Sequence, residues 1–188
     1  MKQHELNNIV EQCKAGNQAA FAQLVVTYQN MVFALSLKML CDEDVAQDVV
    51  QETFIRVWQH IGSYKAGNAK LSTWIYTIAY RLCVDLLKCN KKYHEVRPQD
   101  ENMFKHYVST LNQERQLMNQ EWIAIVKVLA RQLSTMQRTV FTLCILENME
   151  HAEVETITGY SSQQIKSNLH IARNKIKEQL KALGYGQD

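Results

Sequence analysis

The sequence predicts an all-α protein made of two small helical domains joined by a linker. The first observation is a shortage of turn residues: six glycines and one proline among 188 residues are about a third of what average usage would supply. The second is that apolar residues recur at steps of three and four over long stretches of the chain. The third is that this periodicity fades around Pro98. Because hairpins need frequent turns, an all-β fold is excluded.

The first predicted helix runs from Asn17 to about Leu40, where apolar side chains recur on one face. A second helix follows Asp42, whose carboxylate is suited to capping a helix N-terminus. Its expected inward positions are Val45, Val49, Phe54, Val57 and Trp58, and its expected outward positions are Gln47, Asp48, Gln51, Glu52 and Ile55. Residues 62–70 are polar and break the pattern, which indicates a loop.

A third helix is predicted to begin at Ser72 or Thr73. Its expected buried stripe is Leu71, Trp74, Ile75, Ile78, Leu82 and Leu86, and its opposite side is Thr73, Tyr76, Thr77, Tyr80, Arg81 and Lys88. These helices can close one core, so the first domain is predicted at residues 1–92. Because the periodicity fades afterwards, residues 93–115 are predicted to be the linker.

The second domain is predicted over residues 116–188. A helix carrying Trp122 to Leu129 is followed by the capping-box pattern of residues 134–137, which begins another helix. Gly159 then lies between two helical stretches, where a tight turn needs positive φ, and Ser161 or Ser162 can cap the final helix. This spacing is typical of a helix-turn-helix, which places its second helix in the DNA major groove.

Composition excludes several classes of protein. Apolar residues at 46% and charged residues at 21% indicate a globular chain. We expect a cytoplasmic protein without membrane insertion, because no apolar run spans a bilayer and the N-terminus lacks a signal-peptide core. Five cysteines without a CxxC pair predict reduced, mostly buried thiols. No catalytic or metal-binding motif occurs, so we expect no enzyme, cofactor or metal site.

Charge is distributed unevenly along the chain, although the net charge is only +2. Residues 42–52 carry a net charge of −5, residues 56–92 carry +6, and residues 158–183 carry +4. Two basic stretches separated by neutral or acidic sequence predict two contacts with a polyanion. We interpret the acidic stretch as carboxylates that stabilise the start of a helix rather than as a cation site.

The first basic stretch is interleaved with aromatic residues. Unpaired bases stack on aromatic faces while Lys and Arg contact the phosphates, so this pattern suits single-stranded nucleic acid. The alternative is that Phe54, Trp58 and Trp74 fill the core, which their helical phase favours. That alternative is weaker for Tyr76 and Tyr80, which are predicted on the other face.

The second candidate surface is the outward side of the final helix. Its inward stripe is Ile165, Leu169, Ala172, Ile176 and Leu180, and its outward residues are Gln163, Gln164, Lys166, Ser167, His170, Asn174 and Lys177. Amide, hydroxyl and cationic groups of this kind suit base edges and phosphates in a major groove. The alternative is an ordinary amphipathic hairpin with a solvated basic face.

Four stretches of the chain carry a shared family pattern. They are residues 16–28, residues 48–58 (DVVQETFIRVW), residues 71–79 (LSTWIYTIA), and the segment from residue 133 onward with Gly159 and IKSNLHIAR. Together they resemble the extracytoplasmic-function sigma factors, the smallest class of bacterial transcription-initiation factors. Departures from the usual family residues occur at Leu82, Glu155, Thr158 and Asn168.

The resemblance implies a factor that binds core RNA polymerase and directs promoter-specific transcription initiation. It implies that the helix over residues 48–58 binds the clamp helices of the largest, beta-prime subunit, and that the C-terminal domain also binds the flap of the beta subunit. The polymerase contacts so implied are Asp48, Gln51, Glu52, Ile55 and Arg56. The alternatives are a polymerase-independent helix-turn-helix regulator and, more weakly, a helical interaction protein with no DNA role.

The resemblance also implies two DNA contacts and a protein partner. The N-terminal domain would melt the minus-ten element, and its loop would hold a flipped base; the residues are Tyr64, Lys65, Asn68, Lys70, Thr73, Tyr76, Thr77, Arg81 and Lys88. The helix-turn-helix would read the duplex minus-thirty-five element through Ser162, Gln163, Gln164, Lys166, Ser167, His170 and Arg173. An anti-sigma factor that covers the polymerase-binding surfaces is a further implied partner.

Overall fold

The computed structural model describes residues 3–67, 69–90 and 132–182. These residues form helices joined by short turns and contain no strand, which confirms the all-α prediction. The expected linker, the boundaries of both predicted domains and the predicted helix around Trp122 lie outside the described residues, as does Asn68. We call the described helices before residue 91 the first unit and those after residue 131 the second unit, and each is described by itself.

The first unit contains four α-helices in its described part. They are α1 (Gln3–Lys14), α2 (Gln18–Leu40), α3 (Glu43–His60), which is followed by a 3₁₀ turn (Ile61–Ser63), and α4 (Leu71–Asn90). Sequence reasoning did not predict α1, although Leu6, Ile9, Val10 and Cys13 recur at steps of three and four; Val10 and Cys13 are buried. α1 packs on α2, and α2 packs on α3.

Side-chain caps fix the starts of α2 and α3. The Asn17 side chain accepts hydrogen bonds from the backbone N–H groups of Ala19 and Ala20, at 2.9 and 3.1 Å. α2 ends at Cys41, which has a left-handed backbone with φ of 59°. Asp42 follows at once, and its Oδ1 accepts from the N–H of Val45 at 3.0 Å. The predicted cap at Asp42 is therefore confirmed.

The core of the first unit contains apolar side chains from three helices. Its fully buried members include Leu24, Val32, Leu35 and Met39 from α2, Val49 and Val57 from α3, and Leu71 and Ile75 from α4. The Phe21 ring lies 4.8 Å from the Trp58 ring and 6.4 Å from the Phe54 ring. Phe54 is buried and Trp58 is half-buried, so the core interpretation of these two aromatics is confirmed.

Within the described residues, α2 is long and apolar enough to cross a membrane by length and composition. Its contacts with both α1 and α3 are those of a core helix.

The buried surface of α4 is wider than predicted. The helix begins at Leu71, one residue before the first predicted start. Thr73, Tyr76 and Tyr80 were expected opposite the buried stripe, but they are 4%, 5% and 6% exposed. Because this helix is buried on more than one side, only one narrow stripe of its surface is exposed. The exposed residues of that stripe are Arg81, Asp85, Lys88 and Cys89.

The second unit contains three described α-helices. They are α5 (Thr135–Phe141), which continues into a π-helical segment (Thr142–Leu146), then α6 (His151–Thr158) and α7 (Ser162–Ala182). The capping box predicted before α5 is confirmed. The Ser134 Oγ accepts from the Gln137 N–H at 3.2 Å, and the Gln137 Oε1 accepts from the Ser134 N–H at 3.2 Å.

The inward stripe of α7 forms much of the second core. Ile165, Leu169, Ala172 and Ile176 are buried as predicted, and Leu180 is half-buried. Val140, Leu143 and Val154 of the preceding elements are also fully buried, and α5 packs on α7.

All five cysteines are free thiols. Cys13, Cys41 and Cys83 are buried, Cys144 is half-buried and Cys89 is exposed, as the composition predicted. Burial raises the pKa of the Cys83 thiol to about 12, and its Sγ lies 3.7 Å from the Ser36 Oγ. Because the thiolate is the reactive form, Cys83 is an inert core residue.

Candidate functional site

The outer face of α3 brings together all five residues predicted to bind polymerase. We call Asp48, Gln51, Glu52, Ile55 and Arg56 the α3 face. Asp48 and Gln51 are exposed, and Ile55 is 52% exposed. A large aliphatic side chain in water beside acidic groups suits a protein partner, because carboxylates would repel the phosphates of DNA.

A surface ion pair connects two members of the α3 face. The Arg56 Nε donates to the Glu52 Oε1 at 2.7 Å, with roughly equal exposure of the two side chains, at 42% and 44%. Exposed pairs of this kind contribute about 0–1 kcal/mol. A partner can therefore engage either group at little cost in stability.

The loop between α3 and α4 is organised around Tyr64. This side chain was expected to face DNA, but it is only 6% exposed. Its hydroxyl donates to the backbone carbonyl of Ala69 at 2.9 Å, and its ring lies 5.4 Å from the Trp74 ring. The ring of Tyr64, a predicted DNA contact, is therefore not open to a stacking base in this structure, whereas Lys65 and Lys70 are exposed.

The exposed residues of α4 include the cations Arg81 and Lys88 but no aromatic ring. Tyr76 and Thr73 are buried, so neither side chain is open to a base in this structure. Thr77 is half-buried, and its Oγ1 donates to the Thr73 carbonyl at 2.9 Å. We call the exposed cations of the loop and α4, namely Lys65, Lys70, Arg81 and Lys88, the basic set.

The helix-turn-helix is formed by α6 and α7, as predicted. Gly159 lies between them with a φ of 74°, a backbone conformation that residues other than glycine rarely adopt. Of the two candidate caps, Ser161 fills the position: its N–H donates to the Gln164 Oε1 at 2.9 Å, and its Oγ accepts from the Gln164 N–H at 3.3 Å. In this capping box the side-chain oxygen of Gln164, a predicted DNA contact, accepts a hydrogen bond at the start of α7.

The outward side of α7 carries an open groove of about 680 Å³. We call its lining residues the α7 groove: Ser162, Gln163, Lys166, Ser167, His170 and Ile171. Five of these six were predicted to read DNA. Arg173 is exposed on the same helix but does not line the groove. The Asn174 Nδ2 lies 3.0 Å from the His170 Nε2, which restrains the imidazole ring.

Ile171 is the groove residue that sequence reasoning missed. It is 41% exposed and lies outside the buried stripe of Ile165, Leu169 and Ala172. An aliphatic residue out of phase with the core of its own helix is the signal that could have identified it. In a DNA groove such a side chain can contact the methyl group of thymine.

Lys175 differs from the other cations of α7. It is half-buried, and its Nζ donates to the Gln132 carbonyl at 3.1 Å and to the Gln137 Oε1 at 3.2 Å. Lys166, Arg173, Lys177 and Lys181 are exposed. Lys175 therefore ties α7 to the start of α5, whereas the exposed cations are available to phosphates.

Two family models match the chain. The Sigma-70 region 2 model matches residues 24–93, and the Sigma-70, region 4 model matches residues 124–176. Similar proteins include the RNA polymerase sigma-H factor of Pseudomonas aeruginosa, which is 27% identical over 97% of each chain. The ECF RNA polymerase sigma factor SigW of Bacillus subtilis is 27% identical over 93% of this chain and 96% of its own.

Two solved structures share the fold. CnrH in complex with the cytosolic domain of CnrY gives a TM-score of 0.65 at 22% identity, over 93% of this chain and 96% of that one. The sigma factor RpoE from Bartonella quintana, in complex with the anti-sigma factor NepR, gives 0.62 at 21% identity, over 86% and 96%.

An all-α chain that matches Sigma-70 region 2 in its first part and Sigma-70, region 4 in its second is a promoter-recognition factor of bacterial transcription. The chain belongs to the sigma-70 family, in its extracytoplasmic-function class. It directs promoter-specific transcription initiation with RNA polymerase, so the alternative of a polymerase-independent regulator is not favoured.

Proposed function

We propose that this sigma factor uses three separate surfaces during initiation: the α3 face for polymerase, the basic set for melted promoter DNA, and the α7 groove for duplex DNA. The observation that carries the proposal is the chemical separation of these surfaces. Acidic groups and exposed Ile55 lie on α3, whereas the basic set consists of cations and the α7 groove combines Lys166 with polar groups.

In the first unit, the basic set contacts the phosphates of the melted minus-ten strand, and the loop over residues 64–70 holds one flipped base. Extruded bases and single strands are bound by cations that follow the backbone. Thr77 is half-buried and lies at the edge of this surface. The buried Thr73 and Tyr76 support it from the interior.

In the second unit, the α7 groove reads base edges of the minus-thirty-five element. Gln163 and Lys166 provide the amide and ammonium groups that pair with adenine and guanine in a major groove. Arg173 contacts a phosphate beside the groove. Gln164 keeps its side-chain amide hydrogens for DNA, because only its oxygen is used by the cap.

The protein partners follow from the α3 face. We propose that it binds the clamp helices of the beta-prime subunit, while the second unit binds the beta flap. An anti-sigma factor would cover these surfaces, and exposed Ile55 offers it an apolar contact. The protein would act in the cytoplasm, without an enzymatic activity, a cofactor or a metal, through domains at residues 1–92 and 116–188 and a linker between them.

Site-specific photo-crosslinking tests the three assignments together. A photoreactive amino acid is placed singly at Ile55, Lys65 or Ser167, all exposed, in holoenzyme bound to a promoter selected with the wild-type factor. We expect crosslinks to the beta-prime subunit, the minus-ten non-template strand and the minus-thirty-five duplex, respectively. Exposed Glu178, about three turns beyond Ser167 and two turns beyond Ile171 on α7, is the matched control and should not crosslink to the minus-thirty-five bases. An exchanged or absent target would refute the corresponding assignment.

Lys175→Met should weaken binding to minus-thirty-five duplex DNA by about threefold to tenfold, because it removes two hydrogen bonds that position α7. The slope of log affinity against log salt should remain unchanged, since no phosphate contact is lost. Fluorescence anisotropy over a salt series measures both quantities. A slope that falls by about one would instead make Lys175 a phosphate contact.

A further inference from the structure

We propose that Tyr64 is a positioning residue for the strand-reading loop, acting through its hydroxyl rather than by stacking on a base. The inference rests on the proposed function of the loop over residues 64–70. It gives a defined role to a side chain that is buried where an open aromatic surface was expected.

Three contacts hold Tyr64 in place. Its backbone N–H donates to the Ile61 carbonyl at 3.1 Å, at the end of the 3₁₀ turn. Its ring packs at 5.4 Å against Trp74, in the first turn of α4. Its hydroxyl donates to the Ala69 carbonyl at 2.9 Å, which closes the loop between these two elements. Tyr64 thus links the end of the α3 segment, the loop and α4.

The hydroxyl has a defined chemical task. Burial raises the pKa of the Tyr64 phenol, so the group stays protonated and remains a donor at neutral pH. Ala69 lies in the loop, outside both the 3₁₀ turn and α4. Lys65, Ala66 and Gly67 are exposed inside the closed loop, so the bond holds these residues in shape without occupying the surface that faces DNA.

A single-atom change separates this role from ring packing. Tyr64→Phe keeps the ring beside Trp74 but removes the bond to Ala69. In holoenzyme on a selected promoter, we expect open-complex formation to slow by about threefold to tenfold, the range of one lost hydrogen bond. Fluorescence of a 2-aminopurine in the minus-ten element measures the rate. Binding to a duplex fragment that ends upstream of the minus-ten element should be unchanged.

The matched control is Thr27→Val on α2, which removes an exposed side-chain hydroxyl, and its bond to the Gln23 carbonyl, from the same unit and leaves the bond between Tyr64 and Ala69 in place. It should open the promoter at the wild-type rate. The proposal is overturned if Tyr64→Phe opens at the wild-type rate, or if it loses thermal stability and upstream-fragment affinity to the same extent as opening.

A second variant separates this proposal from the function on which it rests. Lys65→Ala combined with Lys70→Ala removes the exposed cations of the loop but leaves the Tyr64 bond. If the double variant opens the promoter normally, the proposed function of the loop is wrong. If only the double variant is defective, the loop contacts DNA and the role of Tyr64 is wrong. Defects in both variants support both statements.

Discussion

Ile55→Ala is expected to weaken the binding of this sigma factor to core RNA polymerase by about tenfold, and Ile55→Asp by about a hundredfold or more. An apolar side chain that is 52% exposed in the free protein becomes an anchor when a partner buries it, and loss of such an anchor costs about 1–2 kcal/mol or more. The aspartate adds the cost of burying an uncompensated charge. Titration of labelled sigma factor with core polymerase measures both affinities.

Ile171→Ala is the reciprocal control for Ile55→Ala. Both side chains are exposed isoleucines, at 41% and 52%, but they belong to different units and different proposed partners. Ile171→Ala should leave polymerase affinity unchanged and weaken binding to minus-thirty-five DNA. Ile55→Ala should weaken polymerase binding and leave the affinity for minus-thirty-five DNA unchanged. Wild-type polymerase affinity in both Ile55 variants would show that polymerase binds another surface.

The double variant Lys166→Ala with Arg173→Ala should weaken duplex binding by about ten- to a hundredfold near physiological salt and reduce the log–log salt slope by about one, because Arg173 is assigned to a phosphate and Lys166 to a base edge. Both side chains are exposed on α7, and Lys166 also lines the groove. When one phosphate contact is lost, DNA binding releases about one counterion fewer. The slope of log affinity against log salt therefore reports the number of phosphate contacts.

Salt titrations with a selected site and with a scrambled site separate the two cations. Lys166 lies in the groove, so Lys166→Ala should reduce the preference for the selected site. Arg173→Ala should weaken both sites equally. Lys175→Met, with its unchanged slope, controls for general loss of positive charge on α7. An unchanged slope in the double variant would contradict the assignment of Arg173, and an unchanged preference for the selected site in Lys166→Ala would contradict that of Lys166.

The sequence was sufficient where a helix buries a single side. On α3 and α7 the positions predicted to be outward are exposed or partly exposed, and Val49, Ile165, Leu169 and Ala172 are buried as predicted. The N-caps at Asp42 and Ser134 were equally predictable, because a side-chain oxygen just before an apolar helical run commonly accepts a hydrogen bond from the first backbone N–H groups of the helix.

Periodicity was insufficient for α4. A tyrosine can serve as a core residue or as a stacking surface, and helical phase alone does not show how many sides of the helix are covered. Tyr76 and Tyr80 are buried because packing extends around most of the helix. The bond from Tyr64 to Ala69 and the tie from Lys175 to the start of α5 also depend on tertiary proximity, which no local pattern encodes.

Run-off transcription with core RNA polymerase shows whether this chain directs initiation at a promoter. On a promoter selected with the wild-type factor, we expect a transcript of one defined length that requires this chain. The transcript should be lost when either the minus-ten or the minus-thirty-five element is replaced. Absence of a promoter-dependent transcript, together with binding of a palindromic operator by the chain without polymerase, would contradict the account.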